Sequence, residues 1–489
     1  MVKQQLLRKY GLSKYTVVSI CMLFAMSLSF TAAINAADWP AYLHDNYRSG
    51  ATTEQLQLPL RQNWVRTTVR GPRPAWDETP ALQDFWQGYY GNKSRVLFDN
   101  AFHIVVAADL LYFGSSNSNK VTCLDAQDGT ELWKFFSDGP VRFAPAVYNG
   151  RVYFGSDDGY VYCLEGADGS LVWSKRATSS GELMFANGRM VSVCPVRTAV
   201  LVDNDVAYWG AGLFAAAQTG LSRYLCACNA ANGTAVWTVT PQKPLQGYPL
   251  ASTSYLYMPA GKSTPVMFRR TNGSYLGAFD TLSSSQGGCY ALLTSDGKFF
   301  FGPHYSGSGT WVGDYNSNTR AYEGVAWFYG NRLVVTPSYS YCSSDTALFK
   351  INRSNQQVVW NISSRYPYGL ILAGDTLFAG GEDEVAALSA ADGSILWTAA
   401  VDGRVHSLAV ANKSLFVSTN RGTIHCFVEL KGDLDGDNDV DMTDFAMFAP
   451  YWMQTGCGLC GGADLALADG QVNLWDLKLF VENWLAGLQ

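Results

Sequence analysis

Histidine and charge are both scarce in this chain: five His occur among 489 residues, and Asp, Glu, Lys and Arg together make up 16%. Metal centres built on several imidazoles are therefore poorly supplied. The net charge of -6, with no basic cluster beyond the first residues, argues against nucleic acid or an anionic membrane as partner, because phosphate surfaces need grouped Lys and Arg. No GxSxG motif places a serine nucleophile. The CxxC at Cys457 and Cys460 has no second CxxC to complete four zinc ligands and no His after it for haem attachment. What is present is apolar side chain at 48%, aromatic residues at 14% and 47 glycines, too much core-forming material for a disordered chain.

The one long apolar run, Tyr15 to Phe30, follows Lys3, Arg8, Lys9 and Lys14 and precedes Ala33, Ala36 and Ala37. A cationic start, an apolar stretch and a small-residue exit read as a secretory signal peptide over 1–37, with an N-terminal membrane anchor as the alternative. Removing those four cations leaves -10, and no membrane span is expected afterwards. The expected location is secreted, periplasmic or cell-surface, where disulfides persist. Of 11 cysteines, Cys21 leaves with the leader. Cys457 and Cys460 read as a redox pair, half a zinc site or a local disulfide, and Cys226 and Cys228 as buried thiols on one strand face.

Internal repetition organises the rest. The segment YFGSSNSNKVTCLDAQDGTELW (112–133) is repeated as YFGSDDGYVYCLEGADGSLVW (153–173), with weaker copies ending near 237, 277, 360 and 397. Those ends are spaced by 40, 64, 40, 83 and 37 residues, which is one unit of about 40 with an insertion and one hidden degenerate unit near 290–325. Within a unit, short runs rich in Val, Tyr, Phe and Leu are separated by Asn149-Gly150, Asp158-Gly159 and Asp168-Gly169, dipeptides that turn antiparallel hairpins. Four strands per unit make a propeller blade, which needs neighbours on both faces. Arg404 to Phe427 supplies three strands without a closing Trp, and Leu60 to Val69 supplies a Trp strand alone. Joined, they complete an eight-bladed ring in which Trp64 shares a sheet with Cys426. Equivalent Cys123, Cys163 and Cys426 then lie on neighbouring blades, too far apart to bridge.

The LDAQDGTELW and LEGADGSLVW units, with DWPAYLHDNYRSG at 38–50, resemble the PQQ-repeat, quinoprotein dehydrogenase-like eight-bladed propellers over about 38–428. In that family the dehydrogenases hold pyrroloquinoline quinone (PQQ) over an adjacent Cys-Cys disulfide with Ca²⁺ and a catalytic Asp. This chain has no adjacent Cys pair, so the resemblance implies the non-catalytic branch, with PQQ not expected.

At Gly432 the composition turns to GDLDGDNDVDMTDF. Asp433, Asp435, Asp437, Asp441 and Asp444 take positions 1, 3, 5, 9 and 12 of a twelve-residue loop, with the Asp439 carbonyl at position 7, a pattern for six to eight oxygens around Ca²⁺. Phe445, Phe448, Ala449 and Trp452 follow at i, i+3, i+4 and i+7, and Leu477, Phe480, Val481 and Trp484 repeat the pattern. Pro450 should bend or end the first helix early. A second loop keeps Asp464, Asp469, Asn473 and Asp476, but DLALAD is one residue too long and lacks a ligand at position 3. The pair of loop-helix units over 432–489 resembles a type I dockerin, which implies a cohesin-like protein or cell-surface scaffold as partner.

The fold expected is thus all-β, an eight-bladed propeller over 38–428 closed by its terminal strands, followed by a small all-α calcium-loop module over 432–489. The expected function is a non-catalytic binding or scaffold platform tethered through Ca²⁺. The alternatives are a polysaccharide-active enzyme and a PQQ-dependent oxidoreductase. Trp86, Tyr89 and Tyr90 form an aromatic cluster that could stack on a carbohydrate or pack as a lid, and His304 and Trp311 could line a pocket with Tyr305, Asp314 and Tyr315.

Overall fold

The computed structural model describes residues 38–489 apart from 76–97, 187, 214–222, 261–262, 281–289, 307–308, 329–331, 438, 459, 467–468 and 486–489. The leader segment 1–37 lies outside the described residues. Six four-stranded antiparallel sheets and one eight-stranded sheet spanning two blades give the eight blades. Blade 1 is Ile104–Ala107, Leu110–Ser115, Lys120–Asp125 and Glu131–Phe136. Blades 2 to 6 follow within 146–176, 201–239, 250–278, 290–328 and 332–363. The first strand of a blade is buried throughout and the last alternates between exposed and half-buried, so strands succeed one another from the axis outward. First strands of most neighbouring blades touch, including those of blades 1 and 8, and so surround the axis.

Blades 7 and 8 are continuous because Ile395–Ala411 is one 17-residue strand, outer in blade 7 and inner in blade 8. Leu60–Thr67 then pairs antiparallel with Thr423–Glu429, and Trp64 stands opposite Cys426, the register read from the repeat. Cys123, Cys163 and Cys426 are buried free thiols, as are Cys226 and Cys228.

The blade contact is a Trp against a glycine. In five blades the closing Trp ring lies against the glycine of the next blade's last turn, and its indole N–H donates to the carbonyl three residues upstream: Trp133 covers Gly169 and reaches Gly166 O at 2.8 Å, and Trp173 covers Gly233 and reaches Ala230 O at 2.9 Å. Trp64, Trp237 and Trp360 repeat the pattern over Gly129, Gly273 and Gly393. Only a residue without Cβ, in a positive-φ turn, lets the ring approach so closely. Where the repeat has Gly277 in place of Trp, the facing turn carries Arg320 at φ 70°, and its guanidinium covers the glycine. The two partners have changed sides.

One end of the axis is closed by the segment after the leader. Trp39 pairs with Val106 of blade 1. Pro40, Asn46, Tyr47 and Gly50 accept backbone hydrogen bonds from Val147, Ala251, Leu293 and Leu372 on the inner strands of blades 2, 4, 5 and 7. Ala51–Thr52 runs parallel to Gly369–Ala373.

Beyond the propeller, α1 (Met442–Phe448) and α2 (Leu474–Glu482) are short, so this region has less helix than an all-α domain implies. α1 stops at Phe448, and Pro450 sits in a 3-10 turn, as its missing N–H requires. Phe448 and Phe480 are buried with Val440, Cys460, Ala463 and Val472, while Phe445 and Trp452 remain partly exposed because the helix ends before the full apolar stripe is built. Cys457 and Cys460 form a disulfide. The region is fastened to the closing strand by Arg61 Nε donating to Asn483 Oδ1 at 2.6 Å.

Candidate functional site at the propeller axis

The loops that lead into the inner strands bring polar side chains to the axis, at the end opposite the Trp39–Thr52 segment. Asp99, with His103 four residues on, precedes blade 1; Arg142 precedes blade 2, Arg197 blade 3 and Tyr248 blade 4, and His406 begins the inner part of blade 8. Asp99 Oδ2 accepts from Ala75 N at 2.7 Å and lies 4.0 Å from Arg142 Nε, with both side chains buried. Phe98, Asp99, His103, Ser116, Arg142 and Phe143 line one small cavity. Behind it, the Phe143 and Tyr248 rings meet edge-on at 5.3 Å, and Tyr42 stacks on Tyr248 at 3.7 Å. Arg48 reaches up from the closing segment, donating to Pro249 O from Nε and Nη2 and lying 5.6 Å from the Tyr248 ring centre.

Burial sets the charges here. It pulls Arg197 down to about 9, with Arg142 adding repulsion and Asp157 and Asp99 opposing it. His103 falls to about 3, through burial first and then Arg332. His406 also falls to about 3, through burial, then Arg332, His103 and Arg404. Both imidazoles are neutral at ordinary pH. Phe98's backbone keeps the His103 ring slightly more basic, yet His103 Nδ1 and His406 Nδ1 are buried without a hydrogen bond of normal geometry among the described residues. The axis therefore holds guanidiniums, neutral imidazoles, aromatic faces and the carboxylate of Asp99 out of bulk water.

The residues named from sequence lie elsewhere. Trp86, Tyr89 and Tyr90 fall outside the described residues. His304 and Trp311 are brought opposite each other, in register on Lys298–Ser306 and Gly309–Asn316 of blade 5. Tyr315 is core, fully buried against Phe301, and Asp314 lies 3.7 Å from Lys298.

In the first acidic loop the carboxylates gather as two triads, Asp433, Asp435, Asp437 and Asp439, Asp441, Asp444, each with ligand oxygens within 4.8 Å of one another. Loss of water contact, then Asp437, Asp441 and Asp444, hold Asp439 above the usual carboxylate range. Asp444 is fully buried and accepts from Leu434 N at 2.5 Å, Asp435 N at 3.2 Å and Asp441 N at 2.8 Å. The second loop repeats this: Asp476 accepts from Leu465, Ala466 and Asn473 N, Asp464 from Gly470 N, Asp469 from Gln471 N, and Asn473 caps α2 through Trp475 N.

Sequence reading missed His103, Arg142, Arg197 and His406. The available signal was a polar residue just ahead of the first apolar strand of a unit, as in AFHIVVA and RVHSLAVA.

A family model described as "Outer membrane protein assembly factor BamB" matches residues 83–207 and 344–435. The quinoprotein ethanol dehydrogenase of Pseudomonas aeruginosa is 24% identical over 172 residues, which are 33% of this chain and 26% of that protein. The dehydrogenase subunit of the Gluconobacter oxydans alcohol dehydrogenase (quinone) is 32% identical over 120 residues, 22% of this chain and 16% of that protein. The chain thus spans about a quarter or less of these curated relatives. Among solved structures, the quinohemoprotein alcohol dehydrogenase ADHIIG of Pseudomonas putida HK5 superposes with a TM-score of 0.55 at 13% identity, covering 80% of each chain. These relatives correct the expectation of a non-catalytic platform and the exclusion of PQQ. The missing Cys pair was given too much weight, because an axial site is assembled from loops of several blades and does not reside in one motif. In fold, the chain is an eight-bladed propeller similar to those of the quinoprotein dehydrogenases.

Proposed function

We propose that this chain is an exported, quinone-dependent oxidoreductase of the PQQ class, acting on an alcohol at the propeller axis. The observation that carries the reading is the buried grouping of Asp99, His103 and Arg142 around one small cavity on the axis, with buried Arg197 close enough to feel the charges of Arg142 and Asp99. The donor types match the chemistry of the group, but the space enclosed among them is about 10 Å³, room for one water, so the group would bind only with displacement of the lining side chains. PQQ is a planar aromatic polycarboxylate, and guanidiniums recognise carboxylates in a bidentate fashion while aromatic rings offer flat faces. Arg142 and Arg197 would hold the carboxylates, Phe98, Phe143 and Tyr248 would supply apolar ring surface, and the His103 and His406 Nδ1 atoms are buried polar atoms that a bound group would satisfy. Among the described residues the free cysteines are buried and none is adjacent in sequence to another, while Phe98, Phe143, Tyr248 and Tyr42 pack together beside the site. When bound, the quinone supplies a two-electron acceptor.

The chain's own residues do the rest. Asp99 is the carboxylate lining the cavity, fixed by Ala75 N–H and by Arg142 4.0 Å away, in position to take the proton of a substrate hydroxyl. The neutral imidazole of His103, 7% exposed, can orient that hydroxyl without adding charge. Titration of the purified protein with PQQ and Ca²⁺, read by bound-quinone absorbance and dye-linked alcohol oxidation, tests this. Binding should weaken at least tenfold in Arg197→Gln, and Asp99→Asn should keep the quinone but lose oxidation. Absence of any bound quinone in the wild type would refute the proposal.

We further propose that 432–489 is a dockerin-like module that takes Ca²⁺ at Asp433, Asp435, Asp437, Asp439, Asp441 and Asp444 and docks a cohesin-like partner. The internal two-fold repeat of its loops supports this, Val440 and Val472, Asp441 and Asn473, and Asp444 and Asp476 holding equivalent places. The Cys457–Cys460 disulfide supports an oxidising compartment, and no helix among the described residues is long and apolar enough to cross a membrane. Calcium-dependent binding to a cohesin in a pull-down, absent with chelator, is the expected outcome.

A further inference from the structure

A second concavity opens beside the axial one, and its chemistry differs. It is lined by Arg70, Asn117, Ser118, Asn119, Lys120, Phe136 and Arg189 and has a volume of about 530 Å³, within the range of small-molecule sites. Two of its walls belong to blade 1: the 116–119 turn with the start of Lys120–Asp125, and Phe136 at the end of the outer strand. The third comes from elsewhere. Leu183–Ala186 and Arg189–Ser192 form a two-stranded hairpin inserted between blades 2 and 3. The hairpin folds back over blade 2, where Ser192 N donates to Asp157 O, and reaches blade 1, where Arg189 Nη1 donates to Ser116 O at 2.6 Å and Asn119 Oδ1 at 3.3 Å. The insertion thus places its arginine at this pocket.

Charge decides what the pocket can take. Arg70, Lys120 and Arg189 are in no ion pair among the described residues. Nearby, Arg66 and Lys134 share the single carboxylate of Glu131. In a chain of net charge -6, this is a local excess of cations that favours an anion. An inorganic anion would use the cations alone. The Phe136 ring, 62% exposed, and the amides of Asn117 and Asn119 add an apolar face and hydroxyl-matching donors and acceptors. A flat apolar face beside amides and guanidiniums is the complement of a sugar ring carrying an acidic group.

We propose that this pocket binds an acidic carbohydrate, with the ring on Phe136 and its carboxylate or sulfate on Arg70, Lys120 and Arg189. The site stands independently of the oxidoreductase reading, and its test involves no turnover. Calorimetry on the full-length chain with oligogalacturonate, a sulfated galactan oligosaccharide, a neutral xylo-oligosaccharide and sodium sulfate separates the possibilities, the first two arms distinguishing carboxylate from sulfate as the anionic group. Binding of at least one acidic oligosaccharide is expected, with no binding of the neutral one. Affinity should fall at least tenfold in Lys120→Gln/Arg189→Gln and severalfold in Phe136→Ala. These are surface substitutions, and an unchanged melting temperature verifies folding. The proposal is overturned if neither acidic oligosaccharide binds at millimolar concentration, if the neutral one binds as well, or if Phe136→Ala leaves affinity unchanged and sodium sulfate competes fully, since the patch would then be a simple anion site.

Discussion

Two glycines of blade 2 allow the blade-to-blade contact to be weighed. Gly150 and Gly169 both have φ of 72°, so an alanine at either pays the left-handed penalty, about 1 to 2 kcal/mol. Their surroundings differ. A Cβ at Gly150 meets nothing within 4 Å, whereas one at Gly169 would stand 2.6 Å from Cδ2 and Cε3 of Trp133. The indole must then move, which costs about 1 to 3 kcal/mol of overpacking and endangers its hydrogen bond to Gly166 O, about 1 kcal/mol more. Gly169→Ala should therefore be destabilised beyond Gly150→Ala by about 2 to 4 kcal/mol, read as the shift in urea midpoint followed by far-ultraviolet circular dichroism. Equal midpoints for the two variants would refute the reasoning, because backbone conformation alone would then account for the glycine. The exchanged pair Gly277 and Arg320 gives a second check: Trp133→Gly should partly rescue Gly169→Arg in a double-mutant cycle.

Other expectations follow from the same geometry. His103 and His406 are depressed to about 3 when folded, against about 6.5 unfolded. A depressed pKa gives stability that is complete above pH 6.5 and declines as pH falls toward 3. The loss between pH 6.5 and 5 is about 2 kcal/mol for His103, with less from the more exposed His406. Urea midpoints at pH 7 and pH 5 should therefore converge in His103→Gln/His406→Gln, and an unaltered difference would count against neutral buried imidazoles. Asp444→Ala strips a buried acceptor from three backbone N–H groups and should destabilise the 432–489 region by about 2 to 4 kcal/mol, with loss of one Ca²⁺ by calorimetry. Reduction of Cys457–Cys460 opens a tight loop and should cost about 2 kcal/mol. Hydrogen exchange should then rise at Cys457, whose N–H donates to Gly470 O, while the propeller is unaffected.

The ring was legible because its information is local and repeated. The Asn-Gly and Asp-Gly turns, the closing Trp and the lone strand at Leu60 to Val69 each constrain their own neighbourhood, and together they fix the closure at Trp64 and Cys426. The Trp-to-glycine contact was half visible: Trp was read as packing between sheets, but its partner glycine lies in the next unit, 36 residues on in the case of Gly169. The early end of α1 was legible in Pro450, whose missing N–H confines it to a 3-10 turn after Phe448 and leaves Trp452 outside the helix. The axial residues were not legible. His103, Arg142, Arg197 and His406 are each a single polar residue ahead of an apolar strand, and nothing in one unit says that the others converge on it.

That convergence depends on the last strand added to the ring. The axial cluster draws Asp99 and His103 from blade 1 and His406 from blade 8, and these blades are held side by side because Leu60–Thr67 completes blade 8 and sets Trp64 onto Gly129 of blade 1. Blade 1 also bonds blade 8 directly, Ile104 N donating to Ser407 Oγ at 3.2 Å. The segment that ends in the closing strand also supplies Tyr42 and Arg48, which seal the far end of the axis under Tyr248. One stretch of chain, 39–67, therefore both shuts the ring and forms the floor of its site. The closing strand and the axial chemistry are coupled through packing, so a lesion at Trp64 should loosen the distance between His103 and His406 even though it lies at the outer edge of the propeller.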